Sequence, residues 1–130
     1  MQTILSSYES LRSALSEDEF EGLDTHVASI EKAAHSLAAA GKSDWTKVET
    51  AAQHFKRSLK SEVRLVRKSS GDLSEPLLNI LAKDKGLAKG LHVFECPMAE
   101  GYKKWAQPTS EISNPYRGTK MPKCGAESEF

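Results

Sequence analysis

Apolar residues recur every three or four positions through the first 70 residues, and no proline interrupts the chain before Pro76, a combination that predicts amphipathic helices. Ile4, Tyr8, Leu11 and Leu15 make the first stripe. Ser16 with Glu19 three residues later reads as a capping box opening a second helix. That helix carries Phe20, Leu23, Val27, Ile30, Ala34 and Leu37, and Gly41 marks its end near Ala40. Ser43 is the expected cap of a third, long helix with Trp45, Val48, Ala52, Phe55, Leu59, Val63 and Val66 facing inward, interrupted at Ser69-Ser70-Gly71-Asp72. A shorter fourth helix is expected from near Ser74, with Pro76 in its first turn, where a missing N–H does no harm, and with Leu77, Leu78, Ile80 and Leu81 as its apolar positions. It ends by Gly86 or Gly90. The expected fold is all-α: an up-and-down four-helix bundle over residues 1–90.

From Leu91 the pattern changes. Leu91-His92-Val93-Phe94 is a short β-like run, and four of the five prolines follow it. Residues 91–125 are expected to form an irregular C-terminal wrap across the bundle, anchored by large side chains such as Trp105 and Tyr116. Residues 126–130 read as a frayed terminus. At 130 residues the chain suits one domain.

Charge narrows the classes of partner. Eighteen basic and 18 acidic residues cancel, leaving no cationic excess to neutralise a phosphate backbone, so nucleic-acid binding is not expected. No apolar run approaches the roughly 18 residues of a membrane span, so neither is membrane insertion. Met1-Gln2-Thr3-Ile4-Leu5 lacks the charged and apolar regions of a signal peptide.

All internal sulfur falls in two clusters, Cys96-x-Met98 and Met121-x-x-Cys124, both outside the helices. Methionines used as core filler would be scattered through the helices. Thiolate and thioether are soft donors that select Cu(I) and related ions, whereas zinc sites draw on Cys, His and carboxylate. The clusters therefore read as a split soft-metal site made of Cys96, Met98, Met121 and Cys124. His92, four residues before Cys96 on the β-like run, is an auxiliary ligand candidate on the same strand face. A Cys96–Cys124 disulfide stapling the tail, with both methionines as ordinary packing, is the competing reading, and the residues alone leave the two open. His26, His35 and His54 lie on helices and read as solvated side chains. The motifs GxSxG and HExxH, a phosphate loop, CxxC and CxxCH are absent, and no enzyme is expected. No polar constellation marks an apolar ligand pocket.

The tail motifs also carry a resemblance. Phe94-Glu95-Cys96-Pro97-Met98-Ala99, Trp105, Glu111-Ile112-Ser113-Asn114-Pro115-Tyr116-Arg117-Gly118, then Met121 and Cys124-Gly125, occur in order. They resemble an uncharacterised helical domain family found attached to periplasmic heavy-metal (copper) efflux adaptor proteins and as small standalone exported proteins. Weaker matches run upstream through Tyr8, Leu11, Ala14 and Leu15, and through Leu73-Ser74-Glu75 and Leu78. Glu95 stands where some relatives carry histidine. The resemblance implies a periplasmic or exported helical protein, its signal peptide already removed, associated with resistance to copper or a related metal. It sets Cys96, Met98, Met121 and Cys124 at the family's sulfur positions. Trp105, Asn114, Pro115, Tyr116 and Gly118 are expected to support the site rather than to ligate. The expected role is binding of Cu(I), or of the related ion Ag(I), for sequestration, metallochaperone-like transfer or efflux. The partner would be an efflux adaptor or another envelope metal-binding protein. The competing expectation is a disulfide-stapled interaction module of such a complex, without metal.

Overall fold

The computed structural model describes residues 2–130 and is mixed α/β rather than all-α. Five helices, α1 (Gln2–Ser16), α2 (Leu23–Ala39), α3 (Trp45–Ser58), α4 (Val63–Lys83) and the single turn α5 (Lys85–Ala88), precede three strands, β1 (His92–Glu95), β2 (Lys104–Gln107) and β3 (Ala126–Ser128). The strands form one antiparallel sheet in the order β2-β1-β3. The expected four-helix bundle is thus corrected by a sheet built from the segment read as irregular wrap and frayed end.

The helical stripes pack as their periodicity dictates. Ile4, Tyr8, Leu11 and Leu15 join Leu23, Val27, Ile30 and Ala34, Trp45, Val48, Ala52 and Phe55, and Leu73, Leu77, Leu78 and Leu81 in one buried core. Helix boundaries differ from expectation for local reasons. Ser16 does not cap α2; it ends α1, its hydroxyl donating to Ser13 O (2.7 Å). The residue ahead of α2 is Gly22 at φ 85°, with no side-chain cap. Asp44, not Ser43, precedes α3, likewise without a side-chain cap. The long third helix divides at residues 59–62: Ser58 Oγ donates to Phe55 O (2.7 Å), Ser61 N turns back to Ser58 O (2.9 Å), and Glu62 is extended at ψ 149°. A serine hydroxyl bonded to its own helix offers the backbone an alternative to continuing.

Ser69-Ser70-Gly71-Asp72 does not interrupt a helix, and Ser74 does not start one; both lie inside α4, as does Pro76. The small residues serve close packing. A Cβ on Gly71 would stand 3.0 Å from Tyr102 O, so glycine lets α4 approach the backbone beside β2. Ser70 Oγ and Ser74 Oγ donate to Arg67 O (2.6 Å) and Ser70 O (2.9 Å), satisfying buried hydroxyls on the helix itself. Tyr8 Oη meets Ser74 Oγ at 2.7 Å, and burial pushes the Tyr8 phenol up to about 12. It stays a neutral hydrogen-bonding group near neutral pH.

The sheet has two distinct faces because side chains alternate along a strand. Val93 and Ala106, paired across β1 and β2, belong to the helical core. Phe94 and Trp105, the next pair, face away from it into a second cluster with Cys96, Ala99 and Tyr116, flanked by Ile112 and Cys124. The C-terminal segment covers this second face.

A dithiol between two proline turns

Cys96 continues β1 by one residue, its N–H donating to Lys103 O (2.8 Å). The chain then turns, with Ala99 N donating to Cys96 O (3.1 Å) and Pro97 at the position after the first residue, where its fixed φ suits a β-turn. Lys103 Nζ ties this turn through Pro97 O (3.2 Å) and Ala99 O (2.6 Å). The second cluster has the same construction: Cys124 N donates to Met121 O (3.1 Å), with Pro122 following Met121. Asn114 holds that turn at both ends, its N–H donating to Pro122 O (2.8 Å) and its Nδ2 to Cys124 O (2.8 Å).

Register brings the turns together. Glu95 pairs with Ala126, so one further step of the antiparallel ladder sets Gly125 across from Cys96 and Cys124 beside it. Gly125 is required there: at φ 126° a Cβ would lie 2.6 Å from Glu95 O. The result is Cys96 Sγ 3.8 Å from Cys124 Sγ, both thiols free. Cys96 is fully buried and Cys124 partly exposed. Burial, together with the neighbouring Cys96 sulfur, raises the Cys124 thiol above its ordinary value, and the Arg117 charge opposes this.

Two sulfurs each about 2.3 Å from one ion at a near-tetrahedral angle stand about 3.8 Å apart, so the thiol pair fits joint coordination of a soft ion. Among the described residues no three of His, Cys, Asp and Glu gather into a possible metal site. Any further ligand from the sulfur clusters is therefore a thioether. Met98 and Met121 sit on the same two turns but at the exposed rim, 59% and 39% accessible, and Met121 Sδ faces Arg117 Nη2 at 3.9 Å. His92 lies at the far end of β1, opposite Gln107 and about 13 Å along the strand from Cys96; the structure does not bring it to the sulfurs.

The residues around the thiols anchor the tail. Trp105 stacks between Phe94 (centroids 5.8 Å) and Tyr116 (5.6 Å, edge-on), and its Nε1 donates to Gln107 Oε1 (2.9 Å). Tyr116 Oη donates to Lys104 O, and burial holds that phenol protonated well above its ordinary value. Asn114 Oδ1 accepts from Tyr116 N (2.7 Å) and Arg117 N (3.1 Å). Pro115 O accepts from Arg67 Nη1 (2.5 Å), and Gly118, at φ 60°, opens a short 3-10 turn, Gly118–Lys120.

Sequence reasoning passed over the arginines that clamp this segment to the helices. Arg12 donates to Ser113 O (2.8 Å) and pairs with Glu9. Arg67 reaches Leu15 O (2.8 Å) and Asp18 Oδ1 (2.5 Å) as well as Pro115, with its guanidinium 5.4 Å from the Phe20 ring. Gln107, wholly buried, donates to Glu111 O (2.6 Å) and accepts from Ser113 N (3.2 Å). One signal was available: Arg12 follows Tyr8 by four residues, inside the apolar stripe, where a cation needs a buried partner.

No family model, curated protein or solved structure matches the chain.

Proposed function

We propose that the protein binds a soft univalent ion, Cu(I) or the related Ag(I), through Cys96 and Cys124, and serves metal sequestration, transfer or efflux in the cell envelope. The observation that carries this reading is the 3.8 Å separation of two free thiols on two turns that each also present a methionine. Two thiolates supply the tight, charged part of the donor set. Met98 and Met121 supply exposed soft donors that need no deprotonation, suited to stepwise ligand exchange at the rim. The resemblance of the CPMA, NPYxG and MxxCG runs to domains of copper-efflux adaptors supports a periplasmic or exported setting, with an efflux adaptor or another envelope metal-binding protein as partner.

The test is an anaerobic Cu(I) competition titration of reduced protein against a chromophoric chelator. One equivalent bound, abolished in the Cys96→Ser/Cys124→Ser double variant and weakened about tenfold or less in Met98→Leu/Met121→Leu, is expected. Absence of stoichiometric binding, or binding indifferent to both cysteines, overturns the reading.

The same adjacency favours one other reading, a Cys96–Cys124 staple in a metal-free interaction module. Thiol titration of the unreduced, denatured protein separates them: two free thiols favour the metal site, none the staple.

A further inference from the structure

A groove of about 610 Å3 runs from the first turns of α4 to the rim of the dithiol. Met98 on the Cys96 turn lines it, and so does Arg117, which touches Met121 on the other turn. The groove therefore borders both sulfur clusters.

Its charge is one-sided. Five lining side chains are cations and two are carboxylates, on a chain whose net charge is zero. The two carboxylates are engaged, Glu100 by Arg64 (2.8 Å) and Asp18 by Arg67 (2.5 Å), and Lys68 stands 4.0 Å from Asp72. Arg117 and Lys120 have no carboxylate partner among the described residues, and Arg117 Nε is buried with no hydrogen-bond acceptor.

Two of the exposed large apolar side chains lie in this groove and a third lies beside it. Among the described residues, the exposed large hydrophobic side chains are Val63, Met98, Met121 and Phe130. Val63 and Met98 line the groove, and Met121 contacts its lining residue Arg117. Apolar groups exposed together, rimmed by unpaired charge of one sign, mark an interaction surface. A small anion would use the cations but not the apolar side chains; a polypeptide uses both.

We propose that this groove docks an acidic segment of a protein partner, its carboxylates on Arg117 and Lys120 and its apolar side chains on Val63 and Met98, beside the thiols between which the ion passes. The site rests on the soft-metal reading for its purpose, but its binding is separately measurable.

The experiment uses reduced, metal-free protein and a fluorescent peptide of alternating Glu, Asp, Leu and Met, read by anisotropy, beside the same peptide with every acid replaced by Lys. The acidic peptide is expected to bind at least about tenfold more tightly than the basic one. It should weaken strongly between about 0.01 M and 0.1 M salt, as the screening length falls from about 30 to 10 Å. Arg117→Glu/Lys120→Glu should reverse the preference, and Lys120→Glu alone, an exposed position, should weaken acidic-peptide binding without touching the core. Equal binding of both peptides, or an unchanged preference in both variants, overturns the proposal. Peptide docking with no Cu(I) binding in the titration sinks the metal reading and leaves the groove; Cu(I) binding with no preference for the acidic peptide does the reverse.

Discussion

Every polar atom of the Asn114 side chain holds backbone of the tail, with Nδ2 on Cys124 O and Oδ1 on the N–H groups of Tyr116 and Arg117. Asn114→Ala leaves those buried groups without partners, and a loss of about 2–4 kcal/mol in urea denaturation is expected. Faster reaction of Cys124 with a chromogenic disulfide reagent should accompany it, since the turn that seats the thiol loses one of its anchors. Gly118 is constrained twice over: its φ is 60°, and a Cβ there would lie 2.0 Å from Asp18 Oδ1 and 2.5 Å from Arg67 Nη2. Gly118→Ala should therefore cost about 2 kcal/mol or more, measured the same way, because it both strains the backbone and pushes the ion pair apart.

Between elements, the contacts that join helices to tail are tight and partly ionic. Gly71 in the middle of α4 faces Tyr102 O, where an added Cβ would stand at 3.0 Å. Alanine is the better helix former by up to about 1 kcal/mol, yet Gly71→Ala is expected to lower stability by about 1 kcal/mol, since the group it meets is backbone at the edge of a sheet. A higher denaturation midpoint for that variant would mean the sheet yields freely. Asp18, on the α1–α2 connection, joins the tail through the Thr119 hydroxyl and amide and pairs with Arg67 of α4. The Thr119 hydroxyl, and less strongly the Thr119 amide and Arg67, hold its carboxyl below the ordinary range. A depressed folded pKa stabilises above the unfolded value of about 3.9, and that stability is lost as pH falls through the folded value. Acidification from about pH 5 toward pH 2 should weaken the wild type more than Asp18→Asn, modestly because the carboxylate is well exposed to solvent. Parallel acid profiles of the denaturation midpoint would exclude that linkage.

At the scale of the whole molecule, the helices pack around one core, one face of a small sheet closes it, and the opposite face carries the dithiol. Two arginines from the helices, Arg12 and Arg67, grip the carbonyls of Ser113 and Pro115 on either side of Asn114. The tail is thereby positioned by the bundle, while β3 sets its final register against β1. Removing residues 126–130 deletes β3, which should separate Cys124 from Cys96 and, on the proposed soft-metal reading, reduce Cu(I) affinity at least about tenfold. The helical circular dichroism signal should persist, because the helical core does not include β3. Unchanged affinity in the shortened protein would show that the Asn114 grip alone suffices.

The sequence by itself determined most of the helical stripes, since a 3.6-residue period names its buried face whatever the partner: Ile4 to Leu15, Leu23 to Ala34 and Trp45 to Phe55 lie in the core, while Phe20, Leu37 and Leu59 are only partly buried against it and Val63, expected inward, is exposed because the helix breaks before it and α4 starts there. It also marked the β-like run that became β1 and the end of α2 near Ala40. Local signals failed where a tertiary contact reassigned them. Ser69-Ser70-Gly71 has the composition of a turn, but those small side chains are what a helix needs to lie against backbone, and only the sheet's presence reveals that use. Residues 126–128 lack intrinsic strand strength, so their strand rests on pairing with the edge of β1 opposite β2, a contact that local sequence does not reveal. The two sulfur clusters were legible as residue types. Their approach to 3.8 Å was not, because it depends on long-range register, and neither were the arginine clamps or the groove, whose walls come from four separate stretches of chain.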